Sequence, residues 1–132
     1  MIPGKIRKSW LAGRVDSFRF AFRGLWTVMG SQHNFRIHLC ITIVVIVAGF
    51  FARLSLTEWC IIMLTIALVL SLEAINTALE YLVDIISPEY HISAGKAKDI
   101  AAGAVLVAAF AALVIGIIIF GARFIDLLNV NQ

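Results

Sequence analysis

The segment SLEAINTALEYLVDIIS, residues 71–87, is largely apolar but carries three carboxylates and an amide. The polar side chains are those of Glu73, Asn76, Glu80 and Asp84. On an α-helix, their spacings of three, four and four residues keep them within an arc of roughly 80°, at about 100° per residue. The segment therefore predicts a helix with one polar face, and that face needs a protein surface beside it.

The composition of the whole chain is typical of a small integral membrane protein. Of its 132 residues, 61% are hydrophobic and 14% are charged, which is far from the composition of a soluble domain. The apolar runs are long enough to predict three membrane crossings in an all-α fold. We expect one membrane-embedded domain covering residues 1–132. Its expected segments are a basic tail (1–13), an interfacial helix (14–31) and three transmembrane helices (35–56, 59–86 and 98–122).

The segment before the first crossing, RVDSFRFAFRGLWTVMG (residues 14–30), has the pattern of an amphipathic helix. Its apolar residues recur at helical spacing, and Arg19 and Arg23 lie away from most of them. We expect this helix to lie at the membrane interface with its arginines near anionic headgroups. It is either a simple anchor or also the wall of a lipid-entry site.

The basic residues predict the orientation of the chain. They collect before the first crossing and in the loop 87–99, whereas the connection between the first two crossings has Arg53 balanced by Glu58. By the positive-inside rule, the N-terminus and the loop 87–99 face the cytoplasm and the C-terminus lies outside. The polar end of the second crossing then faces the side of the membrane where nucleotides are found.

The polar face of residues 71–87 has three possible explanations. An ionised carboxylate at the bilayer centre costs roughly 2.5–3.5 kcal/mol, whereas Leu or Ile contributes about 0.3–0.6 kcal/mol favourably. Glu73, the deepest of the three acids, bears most of this cost. The face could join helices in an oligomer, although Ser, Thr or Asn would do so at lower cost. It could also form a proton or ion path, or a catalytic site at the membrane edge.

The following loop, SPEYHISAGKAKDIAAG (residues 87–103), favours the catalytic explanation. We expect Lys98 and Asp99 in or just before the first turn of the third crossing, where free backbone N–H groups and the helix dipole favour an anion. An acidic face that can hold a divalent cation beside this lysine suits a metal-bound polyphosphate. Oxygen ligands favour Mg²⁺ over Zn²⁺. The sequence has no P-loop and no protein-kinase motif, so ATP would need a different architecture.

Four motifs carry a family resemblance. They are EAINTALEYLVD (73–84), PEYH (88–91), KAKDIAAGAVL (96–106) and NFRIH (34–38). Over about residues 14 to 120, the chain resembles the prokaryotic diacylglycerol kinase and undecaprenol kinase family. The resemblance implies a homotrimer in the bacterial inner membrane, with active sites shared between subunits at the cytoplasmic face. ATP with Mg²⁺ would donate its γ-phosphoryl group to a lipid hydroxyl.

The resemblance also implies roles for individual residues. Glu73 would be the general base, Asn76 would orient reacting groups, and Glu80 would ligate Mg²⁺. Asp84 would have a structural or nucleotide-side role. The residues implied on the nucleotide side are Glu89, Tyr90, His91, Lys98, Asp99, Phe20 and Arg14. Those implied on the lipid side are Arg23, Trp26, Phe35 and Arg36.

Two positions depart from the family pattern. Gln32 stands where relatives have an acidic second metal ligand, and its neutral amide oxygen would bind Mg²⁺ more weakly. Phe20 stands where relatives can have a tyrosine, which puts one nucleotide contact in doubt.

The resemblance favours one lipid over another. The segments DIAAGAVL (99–106) and NFRIH are more like the undecaprenol kinase branch, with diacylglycerol as the alternative substrate. A small ion-coupled transporter and a catalytically silent membrane assembly protein are the alternatives of another class. We expect no nucleic-acid partner.

Overall fold

The computed structural model describes residues 10–89 and 91–130, and these residues form four α-helices. The helices are α1 (Trp10–Ser31), α2 (His33–Phe51), α3 (Leu56–Ile86) and α4 (Ile92–Val130). Three of them are long and apolar enough to cross a membrane: His33–Phe51, Leu56–Ile86 and the Ile92–Asp126 part of α4. This confirms the predicted all-helical membrane protein with three potential crossings. The first nine residues of the predicted basic tail lie outside the described residues.

The turn between α2 and α3 lies earlier in the chain than predicted, since α2 ends at Phe51 rather than at residue 56. Arg53 adopts a left-handed backbone conformation (φ 52°), and the Leu54 amide reaches back to the Gly49 carbonyl oxygen at 3.2 Å, which is a common way to end a helix. Ser55 then starts α3 with a capping box. Its hydroxyl oxygen accepts from the Glu58 amide (3.4 Å), and its own amide donates to the Glu58 carboxylate (2.6 Å). Because of this capping box, α3 starts at Leu56, three residues before the predicted start at residue 59.

Helix α4 begins at Ile92, six residues before the predicted start. Lys98 and Asp99 therefore lie about two turns inside the helix, and the prediction that they occupy its first turn is wrong. The physical reason is local: the alanines and lysines of residues 93–98 are good helix formers, so the helix extends back through them. The free backbone N–H groups of α4 belong to residues near Ile92, not to Lys98.

Helix α3 packs against both α2 and α4. Near the α2–α3 turn, the buried side chains of Leu54, Ile62 and Ile119 form a small apolar core. Gly49 allows the close approach of α2 and α3, because a Cβ atom there would lie 2.8 Å from the Trp59 ring. Toward the second half of α3, polar side chains link it to the start of α2, since Gln32 reaches Glu80 and His38 reaches Glu73.

Residues up to Ser31 and residues from Gln32 onward form two compact units. Within the first unit, the Arg14 guanidinium lies 4.9 Å from the centre of the Trp10 ring, and the Arg23 guanidinium lies 5.9 Å from that of Phe20. These cation–π contacts keep arginines beside aromatic rings along α1. The interfacial position of α1 stays a prediction.

Candidate active site

Glu80 on α3 is held by two amide side chains. One turn earlier on α3, Asn76 Nδ2 donates a hydrogen bond to Glu80 Oε1 at 2.8 Å. Gln32, the residue that precedes α2, donates from Nε2 to Glu80 Oε2 at 3.1 Å. Asn76 is buried, and its Oδ1 has no hydrogen-bond partner among the described residues. Each oxygen of the Glu80 carboxylate thus has a neutral N–H donor.

Glu73 lies two turns before Glu80 on the same helix and is only 3% exposed. Its Oε1 lies 3.3 Å from Nε2 of His38 on α2, a half-buried side chain. The Thr77 hydroxyl, the most deeply buried side chain among the described residues, donates to the Glu73 backbone carbonyl at 2.9 Å. A carboxylate this buried is stable only with a specific partner, and in the described residues that partner is His38.

The roles of His38 and Thr77 were not predicted from the sequence. His38 is the last residue of the NFRIH motif, and it lies on the turn of α2 that faces Glu73. A histidine at the start of an apolar run was a usable signal, but its partner lies 35 residues away along the chain. Thr77 was hidden because a threonine in an apolar helix is unremarkable until its burial is known.

A cavity of about 520 Å³ lies among α2, α3 and α4, and His38 forms part of its wall. Its other polar lining residues are Thr42 and Thr65. Their hydroxyl groups donate to backbone carbonyls of their own helices, Thr42 to His38 at 2.8 Å and Thr65 to Ile61 at 2.7 Å. The cavity therefore presents hydrocarbon walls, and one of its lining residues is the histidine that contacts Glu73.

The loop side of the site is formed by α3 and α4. Lys98 Nζ lies 2.5 Å from Asp84 Oδ1, which joins the last turns of α3 to the beginning of α4. Both side chains are partly exposed, so the lysine is accessible to a ligand. An exposed pair of this kind contributes little to stability.

Three other expected nucleotide-side residues, Glu89, His91 and Asp99, are exposed, and none of their hydrogen bonds in the described part of the chain reaches Glu80. Glu89 is exposed between the helices, and its backbone carbonyl accepts from the Ser87 hydroxyl at 3.1 Å. His91 Nδ1 accepts from the Ser93 amide at 3.2 Å, just before α4. Asp99 is exposed on α4. Tyr90 lies outside the described residues.

The expected lipid-side residues divide between two helices. On α2, Phe35 is buried and Arg36 is exposed in the turn that follows Gln32. On α1, the side chains of Arg23 and Trp26 are exposed, as are those of Arg14 and Phe20 from the nucleotide-side set. The roles of all of these residues remain predictions.

The oxygen atoms around Glu80 are ligands that suit a hard cation, but they carry little negative charge. Among the described residues, no group of three or more His, Cys, Asp or Glu side chains is arranged to hold a metal ion. Glu80 contributes one carboxylate, and the amide oxygens of Gln32 and Asn76 are ligands that Mg²⁺ accepts. Gln32 presents its N–H group to Glu80, so its amide would have to turn over before its oxygen could bind the same cation.

Comparisons with known proteins place the chain in a family. Residues 19–120 match the family described as prokaryotic diacylglycerol kinase. The chain is 44% identical to the undecaprenol kinase of Bacillus subtilis (strain 168) over 104 residues, which cover 79% of this chain and 85% of the relative. It is 45% identical to a diacylglycerol kinase of Synechocystis sp. over 101 residues, or 76% of this chain and 58% of the relative.

A more distant relative is matched over more of its length. The diacylglycerol kinase of Escherichia coli (strain K12) is 27% identical over 110 residues, covering 83% of this chain and 90% of the relative. The match to the family extends from α1 through α2 and α3 to Phe120 on α4, and so includes Glu73, Asn76 and Glu80. The chain therefore belongs to the prokaryotic diacylglycerol kinase family.

Proposed function

We propose that this protein is a lipid kinase that transfers the γ-phosphoryl group of ATP to the hydroxyl group of undecaprenol. One observation carries the proposal: the buried Glu73 carboxylate contacts His38, which also lines an apolar cavity between membrane-spanning helices. A buried base beside a hydrocarbon-lined space is the arrangement that a long-chain alcohol requires. Membership of a lipid kinase family and 44% identity to an undecaprenol kinase support the same chemistry.

In the proposed reaction, the lipid hydroxyl oxygen bonds to the γ-phosphorus of ATP while the bond to the ADP oxygen breaks. The hydroxyl proton passes to Glu73. His38 holds the carboxylate in a defined orientation through the 3.3 Å contact. Phosphoryl transfer depends mainly on alignment of the reacting groups and on stabilisation of charge. On the lipid side, the protein therefore needs to supply only one well-placed base.

The nucleotide is proposed to bind beyond Glu80, toward the end of α3. Glu73 and Glu80 are two helical turns apart, roughly 10 Å along the axis, which leaves space for the transferring phosphoryl group. Lys98 is partly exposed and held next to the end of α3 by Asp84, a position from which its ammonium group can bind phosphate oxygens. Further contacts are proposed for Glu89, Tyr90, His91, Asp99, Arg14 and Phe20.

Mg²⁺ is proposed to enter with ATP. Glu80 and the amide oxygens of Gln32 and Asn76 would hold it, and the ion would neutralise negative charge on the phosphates. One carboxylate makes this a weak protein site. We expect Gln32→Glu to raise turnover at limiting Mg²⁺, measured as initial rate against Mg²⁺ concentration. An unchanged Mg²⁺ dependence would remove Gln32 from the metal site.

The proposal for the assembly is based on the family resemblance, and the proposal for the orientation is based on the charge distribution. We propose a homotrimer in the bacterial inner membrane, with sites shared between subunits, the N-terminus in the cytoplasm and the C-terminus outside. Arg23, Trp26, Phe35 and Arg36 are proposed to line the lipid side. The acidic half of α3 then faces the cytoplasm, where ATP is available.

The walls of the cavity favour a polyprenol over diacylglycerol. Diacylglycerol carries ester groups close to its hydroxyl, and buried ester oxygens prefer polar partners. The hydroxyls of Thr42 and Thr65 already donate within their own helices, so the wall offers mainly hydrocarbon. Diacylglycerol kinases among the relatives keep that lipid as the second candidate.

The function is tested with purified protein in lipid, Mg²⁺, γ-labelled ATP and each alcohol in turn. We expect label in undecaprenol and little in diacylglycerol. Label in diacylglycerol alone would move the protein to the other branch. If neither alcohol is labelled, even with Gln32→Glu, the protein is not a kinase for these lipids, and the transporter and the silent assembly protein become the explanations to test.

A further inference from the structure

The Glu80 carboxylate has an unusual set of partners for a group expected to ligate a metal. Its two oxygens accept from Asn76 Nδ2 at 2.8 Å and from Gln32 Nε2 at 3.1 Å. One donor lies on the same helix, and the other precedes α2, so the pair of hydrogen bonds links two helices. Hydrogen bonds to a charged acceptor are stronger than those between neutral groups. The carboxylate is therefore well satisfied without a cation.

A divalent cation at Glu80 would have to replace these contacts. The Gln32 N–H group occupies the space beside Oε2, and its amide must turn over before its oxygen can serve as a ligand. The side chains bonded to Glu80 are both neutral amides, so its carboxylate is the negative charge that this set would offer the cation. Among the described residues, no group of three or more His, Cys, Asp or Glu is arranged to hold a metal. Mg²⁺ gives up its water reluctantly and is usually bound by one or two carboxylates together with substrate phosphates.

We propose that Gln32 holds the Glu80 site in a metal-free resting state. The Gln32 and Asn76 N–H groups occupy both oxygens of the carboxylate, and a divalent cation binds only when phosphate oxygens supply the remaining ligands. Mg²⁺ consequently contributes nothing to the stability of the protein without nucleotide. The nucleotide part of this inference rests on the proposed function, whereas the metal-free resting state does not.

The first test measures thermal unfolding of the full chain in lipid or detergent, in EDTA and in millimolar MgCl₂. We expect the unchanged protein to melt at the same temperature in both conditions. Gln32→Glu places a second carboxylate beside Glu80, so it should melt several degrees lower in EDTA and recover in MgCl₂. Asn34→Asp is the matched control, because it makes the same amide-to-acid change at an exposed position on α2. The control should show no recovery with Mg²⁺.

The second test measures Mn²⁺ binding directly by electron paramagnetic resonance, without lipid or ATP. We expect at least about tenfold tighter binding by Gln32→Glu than by the unchanged protein, since a second carboxylate adds both charge and a ligand. Gln32→Leu, which removes the hydrogen bond without adding charge, should be destabilised equally in EDTA and in MgCl₂. This variant keeps the inference testable if Gln32→Glu fails to fold.

Two results would overturn the resting state. One is binding of an equivalent of Mn²⁺ by the unchanged protein without nucleotide, either as tightly as by Gln32→Glu or, if that variant does not fold, more tightly than by Gln32→Leu. The other is a Gln32→Glu variant that melts like the unchanged protein in EDTA and gains nothing from Mg²⁺. Adding a non-hydrolysable ATP analogue tests the remaining part: the unchanged protein should then bind Mn²⁺. If it does not, the nucleotide part fails together with the proposed function, while the resting state stands on the first two tests.

Discussion

The first turn of α3 and its second half differ in the partners of their buried or half-buried carboxylates. In the first turn, Glu58 caps the helix with Ser55 and is paired to Arg123 of α4, with Arg123 Nε 3.0 Å from Oε1 and Nη2 bonded to Oε2. In the second half, Glu73 meets a histidine, and Glu80 meets two neutral amides. The outer carboxylates of α3 thus have permanently charged partners, Glu58 an arginine and Asp84 a lysine, whereas among the described residues Glu73 and Glu80 contact none.

This difference separates a structural charge from a functional one. The Arg123 guanidinium neutralises Glu58 and donates to both of its oxygens, so this carboxylate does not need a ligand. A buried carboxylate with neutral or titratable partners is less stable, but it keeps its capacity to take a proton or to approach a cation. Such arrangements are typical of sites where function limits stability.

The largest effect should come from removing the proposed base. We expect Glu73→Gln to lower phosphate transfer to undecaprenol by about 10²–10⁴-fold, the usual contribution of general acid–base catalysis, while assembly stays intact. The matched control is Glu58→Gln, the same change at the other end of α3, which should leave turnover near its original value. Turnover of Glu73→Gln close to that of the unchanged protein would end the assignment of Glu73 as base.

The next largest effect concerns the loop side. Lys98→Met should reduce kcat/KM for ATP by roughly 10–100-fold, because hydrogen bonds to charged groups contribute about 1.5–3 kcal/mol. Lys96→Met is the control, since Lys96 is an exposed lysine of the same helix with no assigned role. Initial rates over a range of ATP concentrations measure both variants. Equal losses in the two would mean that general positive charge, not a specific phosphate contact, is responsible.

A smaller effect is expected from the partner of the base. His38→Ala should lower kcat by about tenfold with the KM for ATP unchanged, because a misdirected carboxylate loses alignment with the hydroxyl. His33→Ala, at an exposed histidine in the first turn of α2, is the control. A change confined to the KM for ATP would contradict a role for His38 on the lipid side and would weaken the contrast between the two ends of α3.

The smallest effect on turnover should come from the structural pair. Arg123→Gln leaves Glu58 without its cation, so we expect a lower melting temperature, with transfer rates unchanged at a temperature where the protein remains folded. Thermal unfolding and the kinase assay on the same preparation measure both quantities. A large loss of turnover without a change in melting temperature would show that both ends of α3 serve the reaction.

Much of the fold followed from local patterns. Long apolar runs predicted three membrane-spanning helices, and the described residues contain three helices of sufficient length and hydropathy to cross a membrane. The spacing of Glu73, Asn76 and Glu80 predicted a shared helical face, and all three contact α2 residues or one another along that face. The predicted ends of the helices were less accurate. Helix α4 starts early because residues 93–98 include good helix formers, although these residues were predicted to belong to a loop.

The partners in the site were not predictable in the same way. Asp84 and Lys98 are 14 residues apart, Glu73 and His38 are 35 apart, and Gln32 and Glu80 are 48 apart. Residue type indicated that Glu80 needed a ligand or donor, but it did not indicate which amide would reach it. His38 could be recognised only after its helix was packed against Glu73.

Three long apolar helices and an acidic face on one of them were predictable from the amino-acid sequence, because hydrophobic length and helical spacing are local properties. The family was also predictable, because the polar motif is specific. Only the tertiary structure decided that Gln32 and Asn76 share Glu80, and that Arg123 neutralises Glu58 while Glu73 meets a histidine. Those pairings depend on how α2 and α4 pack against α3, which is a property of three helices together and not of any one segment.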